Sequence, residues 1–534
     1  MNTNDKKLKI IISGLVQAKV KNRTDLINIK RKFSNSLNMP SPLNSDLLRI
    51  YYQLLRKKQI KADSTLTTLL RKREIRTLSG VAVITVLTKP YPCPGRCVYC
   101  PNEAGMPKSY LSNEPAAARA KGVKFNPATQ VKVRLQALAM NGHETDKVEL
   151  IVLGGTWSCY PKKYQTWFIK RCFEALNGRS AKTLAAAQKL NETAKHRCVG
   201  LTLETRPDFV TQAEIKNLRE LGCTRVELGV QSIYDSILKL NQRGQTVNQT
   251  IQATRLLKEA GFKVMFHMMP NLPGTDLKKD LQMFKDLFSR ADFRPDLLKI
   301  YPCVVTKNSV LYRWYKNNKF KPYTDSELKK LLIKIKLQLP KYVRLTRLIR
   351  DIPAESIVAG NKITNLRQEI DRELKKMKKY CQCIRCREAG HQIIDPRADI
   401  SLIKKIKNPK FNIKKYRASQ GTEYFLSFDS KDNKILYAFL RLRINDNPEN
   451  NFIDELKNAA IIRELHTFGE LAPLGKKGLV QHLGLGKKLL AQAEAVAKKN
   501  NLKKIAVISG IGVREYYKKF GYQLKKTYLV KNLK

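Results

Sequence analysis

Three cysteines crowd into the stretch YPCPGRCVYCPN: Cys93, Cys97 and Cys100, spaced C-x3-C-x2-C. Three is an odd number for disulfides and one short of a closed tetrahedral metal site. On one short loop, three thiolates can hold three irons of an iron–sulfur cube and leave the fourth iron open to a small ligand. A partial zinc site is the competing reading. The strand-like run GVAVITVLTKPYPC ahead of the loop, and Tyr99 inside it, favour iron–sulfur. A second trio, Cys381, Cys383 and Cys386, has C-x-C-x2-C spacing, with His391 five residues beyond. Mixed Cys and His at close spacing suit a structural zinc, with Cys303 or His391 as the fourth ligand. A second iron–sulfur cluster and unliganded cysteines are the alternatives there.

A third chemical feature is QHLGLGKKLL, a Q-x-x-G-x-G pattern at a helix start. Backbone N–H groups and the positive helix end can bind a pyrophosphate there, although one such glycine pair is weak evidence by itself. Tyr516 and Tyr517 follow in VREYYKKFG, where helix packing explains them equally well. His466, in RELHTFG, reads as a packed core histidine or as a ligand contact.

The elements that must position these residues fall into a rhythm. KVELIVLGG, CVGLTLET, RVELGVQS, KVMFHMMPNLPG and LLKIYPCVV read as strands. Helical stretches such as TQAEIKNLRELG and TVNQTIQATRLLKEAG lie between them. The alternation predicts a parallel sheet of five or six βα units, a partial or full barrel. Chemistry in such folds sits at the C-terminal ends of strands. The cysteine loop, Gly154-Gly155-Thr156, the ETRPD that begins at Glu204, Gln231 and MMPNLPG all fall at such ends. Near residue 351 the rhythm stops. A hairpin-like pair in TEYFLSFDSKDNKILYAFLRLRI then opens a separate α+β unit. The predicted division is a basic helical segment over 1–78, the barrel over 79–350, a metal-binding linker over 351–395 and the α+β domain over 396–534.

Composition bounds the partners. The 534 residues hold 102 Lys+Arg against 45 Asp+Glu, a net charge of +57. Such a balance points to a polyanion, or to a proteome rich in lysine. Residues 1–80 alone carry 18 Lys+Arg and 5 Asp+Glu. A cluster of that density predicts salt-sensitive binding of nucleic acid. No apolar run approaches the roughly 18 residues of a membrane span, and KLKIIISGLVQA is too short for a secretory signal. The tight cysteine clusters suit a reducing compartment. The expectation is a cytoplasmic protein with no membrane partner.

The cysteine motif together with the strand-end motifs resembles the radical S-adenosylmethionine superfamily. The order from RELHTFG through QHLGLG to YYKKFGY resembles Gcn5-related acetyltransferases. Both on one chain, with SYLSNEPAAARA, FHMMPNLPG and KIAVISGIGVREYYKKFGY, resemble the catalytic subunits of Elongator in their stand-alone form. That resemblance implies an α/β fold: a radical S-adenosylmethionine partial (β/α) barrel plus a C-terminal α+β acetyltransferase-like domain, with a basic helical N-terminus. It implies a 4Fe-4S cluster on Cys93, Cys97 and Cys100, with S-adenosylmethionine near Gly154, Gly155, Thr156, Glu204 and Gln231. It implies acetyl-CoA contacts at Lys147, at Glu464, Leu465, His466 and Thr467, and at Gly484, Leu485, Gly486, Lys487 and Tyr517. Tyr516 and Tyr517 are the candidate catalytic residues, near the thioester.

The implied activity is modification of the wobble uridine of transfer RNA. A 5′-deoxyadenosyl radical takes a hydrogen from the acetyl methyl, the carbon radical adds to uridine C5, and hydrolysis leaves a carboxymethyl group. The implied partners are transfer RNA and an external electron donor. A homodimer is compatible with the resemblance, and other Elongator subunits are not required. Lys147 precedes its strand and so lies at the end of the barrel away from the cysteines. The chain departs from many members in the short spacing between its first two cysteines and in Gln245, which stands where they carry histidine. A lysine acetyltransferase on a radical-fold scaffold and a non-catalytic RNA-binding module are the competing functions.

Overall fold

The computed structural model describes residues 3–72, 77, 79–393, 409–468 and 484–533. Four helices, Thr3–Gln17, Arg23–Ser36, Asn44–Arg56 and Ser64–Leu70, open the chain. Their apolar residues recur every three or four positions, so each helix has one face to bury. Leu8, Ile11, Ile12 and Leu15 meet Leu47, Leu48, Tyr51 and Leu54 in a core of their own. Asn22 and Asp63 cap the second and fourth helices through their side chains, satisfying N–H groups that a helix start leaves unpaired. Lys19, Lys21, Arg23, Arg31, Lys32, Arg56, Lys57 and Lys58 remain on the outside.

Seven parallel strands follow: β1 (Ala82–Leu87), β2 (Lys147–Leu153), β3 (Arg197–Thr205), β4 (Arg225–Gln231), β5 (Lys263–Met268), β6 (Leu297–Ile300) and β7 (Arg344–Arg347). They lie side by side in chain order. This is the expected partial barrel, with one strand more than the five or six units predicted. RLTR, the whole of β7, escapes a sequence reading because Arg344 and Arg347 close off its two middle residues and no apolar run marks a strand.

Along β2, β4 and β5 polar and apolar residues alternate. Val148, Leu150 and Val152 of β2, Val226 and Leu228 of β4, and Val264 and Phe266 of β5 are buried in the core. Helices such as Lys162–Asn177, Val247–Glu259 and Leu277–Ser289 contribute Phe168, Phe173, Leu257 and Phe284 to the same core. The residues between them, Glu149, Arg225, Glu227, Lys263, His267 and Lys299, face a cavity on the concave side. Successive strand side chains point to opposite faces, so one face is hydrocarbon and the other a charged lumen.

The second sheet has the order β13-β14-β12-β11-β10-β9-β8. Its strands are β8 (Lys410–Arg417), β9 (Gly421–Asp429), β10 (Leu436–Asn445), β11 (Ala459–Thr467), β12 (Lys504–Val507), β13 (Gln523–Lys525) and β14 (Tyr528–Asn532). β9 and β10 form the expected antiparallel hairpin, with Ser430 N–H donating to Ile435 O at its turn. β11 and β12 pair in parallel, joined through the helix Leu485–Lys499.

This sheet sits beneath the N-terminal ends of the barrel strands. Lys263, the first residue of β5, stands 3.5 Å from Glu464 of β11. Arg463 donates 3.0 Å bonds to both oxygens of Asp296, the residue before β6. His466 Nε2 is 2.7 Å from Ser79 O, ahead of β1. Both sheets share one continuous hydrophobic core. Among the described residues, no helix is long and apolar enough to cross a membrane.

Candidate active site

The cysteine loop leaves β1 and folds over the C-terminal rim. Cys97 is buried, and Cys93 and Cys100 are half-buried. Arg243 Nη1 donates to Cys97 Sγ across 3.5 Å, while its Nη2 donates to Gly229 O at 2.6 Å. Burial pushes the Cys97 thiol up, but the Arg243 charge and its hydrogen bond outweigh burial and hold it below its ordinary value. Burial and the Cys97 charge push Cys100 up to about 12. Metal coordination deprotonates such thiols outright.

Gly154, Gly155 and Thr156 follow β2 and lie against this loop. Gly154 has φ +134°, and a Cβ there would enter the Thr88 side chain, so only glycine serves. Thr156 Oγ1 lies 3.9 Å from Cys93 Sγ. Gln231 ends β4 with φ +69°, a left-handed backbone rare in non-glycine residues and often found at ligand sites. Glu204 accepts from Tyr110 Oη at 3.3 Å and lies 3.6 Å from His267 Nδ1.

Below the rim, the lumen is a ladder of opposite charges. Glu204 and Glu227 are register partners on β3 and β4. Glu227, wholly buried, lies 2.8 Å from His267 Nε2 and accepts a hydrogen bond from Lys299. Burial works against its charge, yet Lys299 and His267 outweigh burial and hold it well below the usual carboxylate range. One level lower, Arg225 pairs with Glu149. At the floor, Glu464 meets Lys263 and, at 2.8 Å, Arg441. Burial raises Glu464, but those two cations overcome it and bring it down to about 2.

One cavity of about 1460 Å³ takes in both ends of this ladder. Cys100, Glu204 and Gln231 line its upper end, while Gly154, Gly155 and Thr156 stay outside it and back the cysteine loop. Lys147, Glu464, Leu465, His466, Thr467, Gly484, Leu485, Gly486, Lys487, Tyr516 and Tyr517 line the lower part. Lys147 therefore belongs to the lumen after all. It stands at the end of β2 away from the cysteines, and that is the end the second sheet covers. From Lys263 at the floor to His267 beside Glu204 is four strand residues, roughly 13 Å.

The helix Leu485–Lys499 starts after Gly484, whose φ is +77°. Tyr516 Oη packs over it so closely that a Cβ on Gly486 would lie 2.6 Å away. Tyr517 is buried beside it, their rings edge to face at 5.3 Å. Burial pushes the Tyr516 phenol up to about 12 and Tyr517 higher still, so both keep their protons near neutral pH. His466 stacks on Phe439, and burial lowers its pKa. Gln481 of the glycine motif lies outside the described residues.

The ligand atoms of Cys381, Cys383 and Cys386 all lie within 4.8 Å of one another, close enough for one ion. Cys303 is buried in a different cluster, with Leu272, Val305 and Leu311. His391 Nε2 stands 2.8 Å from Glu388 Oε1. The structure does not bring Cys303 to the trio. Sequence reasoning missed the lumen residues Glu149, Arg225, Glu227, Lys263, His267 and Lys299. The signal was there: KVEL, RVEL, KVMFH and LLKI alternate charged and apolar residues, whereas strands buried on both faces read as continuous apolar runs.

A half-barrel of parallel strands with a three-cysteine loop on its rim defines a radical S-adenosylmethionine protein. The description "Radical SAM superfamily" matches residues 91–287, and "Radical_SAM C-terminal domain" matches residues 295–376. A Methanocaldococcus jannaschii protein named tRNA uridine(34) acetyltransferase is 44% identical over 523 residues, which is 96% of this chain and 94% of the relative. Human Elongator complex protein 3 is 37% identical over 480 residues, covering 87% of this chain and 86% of the human one. The solved structure of archaeal Methanocaldococcus infernus Elp3 with an N-terminal deletion (1–46) superimposes with a TM-score of 0.74 at 43% identity, covering 86% of this chain and all of that one. The chain belongs to the family of tRNA uridine(34) acetyltransferases and Elongator complex protein 3. Superfamily membership implies an iron–sulfur cluster and S-adenosylmethionine. Three cysteines on one rim loop, two of whose sulfurs border the space beside Gly95, an arginine donating to Cys97 and a left-handed Gln231 on the same rim fit both.

Proposed function

We propose that this protein builds a carboxymethyl group on C5 of the wobble uridine of transfer RNA, using acetyl-CoA and S-adenosylmethionine. The observation that carries the reading is the single cavity lined by Cys100 and Glu204 at one end and by Glu464, Gly486 and Tyr516 at the other. A radical generated at the rim and a thioester held at the floor need such a common space. The names of the relatives favour this activity over lysine acetylation.

Cys93, Cys97 and Cys100 would hold the cluster. Once bound, the cluster and S-adenosylmethionine supply a carbon radical able to take hydrogen from a methyl group. Gln231 and Glu204 orient the ligand on the rim. The backbone N–H groups at the start of Leu485–Lys499 bind the pyrophosphate of acetyl-CoA. Tyr516 and Tyr517, protonated throughout the neutral range, donate hydrogen bonds toward the thioester. Lys147, its pKa lowered by burial, lines the route between the sites. The charged lumen keeps its groups paired and so offers a polar path that does not collapse. Residues 1–78 form the transfer RNA-binding segment, 79–350 the radical domain, 351–395 a linker stapled by zinc on Cys381, Cys383 and Cys386, and 396–534 the acetyl-CoA domain. The protein works in the cytoplasm with an external one-electron donor and without other Elongator subunits.

The test is anaerobic. Reconstituted protein, reductant, S-adenosylmethionine, acetyl-CoA and unmodified transfer RNA are incubated, and the nucleosides are read by mass spectrometry. A carboxymethylated uridine that requires both small molecules is the expected result. Acetylated protein with unchanged nucleosides and no 5′-deoxyadenosine would overturn it.

A further inference from the structure

Arg206 follows β3 in the ETRPD motif and is 4% exposed. Its Nε and Nη2 donate to Asp208 at 2.9 and 2.8 Å, and Nη2 also reaches Gly244 O. Its Nη1 is buried with no hydrogen-bond partner. An unpaired buried guanidinium N–H is costly and calls for a partner. The position of that atom is informative. A Cβ on Gly95, in the middle of the cysteine loop, would lie 2.5 Å from Arg206 Nη1, 3.5 Å from Cys97 Sγ and 3.7 Å from Cys93 Sγ. The space that glycine leaves open is thus bounded by one guanidinium and two sulfurs. Arg243, 7% exposed, approaches Cys97 Sγ as well. Asp208 is the carboxylate bonded to Arg206, so the two guanidiniums are only partly neutralised.

We infer that Arg206 and Arg243 are positioning residues that set the reduction potential of the cluster held by Cys93, Cys97 and Cys100. The inference rests on the radical reading above and deepens it. Reduction adds one electron, supplied by a low-potential one-electron donor, to the cluster and its thiolate ligands. Fixed positive charge and N–H donors at the sulfurs stabilise the reduced, more negative form and raise the potential. Two buried cations beside Cys97 therefore ease electron entry, while Asp208 limits how far they do so. Charge at this point of the loop follows from residues outside the cysteine motif itself.

The experiment is an EPR-monitored redox titration of the reconstituted full chain without S-adenosylmethionine. Arg243→Gln and Arg206→Gln are expected to move the midpoint to more negative potential. Asp208→Asn, which leaves the arginine charge uncompensated, is expected to move it to more positive potential. The opposite signs separate tuning from general loosening of the loop. Should a glutamine variant fail to take up iron, Asp208→Asn and Arg206→Lys decide the matter. Unchanged midpoints in Asp208→Asn and the arginine variants overturn the inference. So does an unchanged midpoint accompanied by weaker S-adenosylmethionine binding, which would make Arg206 a ligand contact. A wild-type chain that shows no reducible iron–sulfur signal would instead sink the radical reading on which the inference stands.

Discussion

Lys263 Nζ stands 3.5 Å from Glu464 Oε1, which ties the first residue of a barrel strand to the second sheet. Arg441 holds the same carboxylate from the other side. The pair marks where the two halves of the cavity join. Glu464→Gln should remove the counter-charge of half-buried Lys263 and leave Arg441 with Asp296 alone. Acetyl-CoA binding by calorimetry is expected to weaken at least tenfold, while the visible absorbance of the cluster stays unchanged. Equal loss of both would mean that the floor and the rim are not separable.

Acid should loosen this join. Glu464 and Glu388 both have folded pKa values brought down to about 2 from an ordinary 4.5, because neighbouring cations outweigh burial. Their stabilisation is fully present above about pH 4.5 and is lost as pH falls toward 2. Thermal melts should show Tm steady at higher pH and falling through that window. In Glu464→Gln the fall should be shallower.

Glu227 is the most enclosed anion of the lumen, facing Lys299, His267 and Arg225. Glu227→Gln removes the carboxylate that buried Lys299 pairs with, at a cost of about 3–5 kcal/mol. A urea titration is expected to show that loss. A cost under about 1 kcal/mol would mean that water enters the lumen and solvates the ladder.

Gly486 and Tyr516 share one small space. Gly486→Ala puts a methyl against the phenol oxygen, 2.6 Å from its ideal position. The helix start should shift, and acetyl-CoA affinity should fall with transfer RNA affinity unchanged. Adding Tyr516→Phe removes the obstructing oxygen and should restore part of the lost affinity. No restoration would place the damage elsewhere in the glycine turn.

The Cys381, Cys383 and Cys386 site should carry metal. Elemental analysis of the purified chain is expected to find zinc that Cys383→Ser abolishes, with a lower Tm. Retention of the full zinc content in that variant would move the metal to other residues.

Much of the chemistry is legible in the order of the residues alone. C-x3-C-x2-C is a local pattern: three thiols within eight residues must share a loop, whatever surrounds them. The strand-end positions of Gly154, Glu204 and Gln231 follow from βα alternation, because a parallel sheet places all strand ends on one rim. β7 is not legible, since Arg344 and Arg347 interrupt any apolar run. Nor is the destination of Lys147, whose strand start belongs to the cavity only because another domain covers it.

The sequence by itself thus determined the radical loop, the class of both halves and the basic helical front, because each depends on spacing along one segment. Only the tertiary structure decided that the second sheet seats under the barrel floor, and that Glu149, Arg225, Glu227, His267 and Lys299 converge into one lumen. It also decided that Arg206 aims an unpaired N–H at the cysteines. Those facts depend on side chains from strands far apart in sequence meeting across a closed space. Alternation along a strand says which residues share a face; only the curvature of the sheet makes that face an inside.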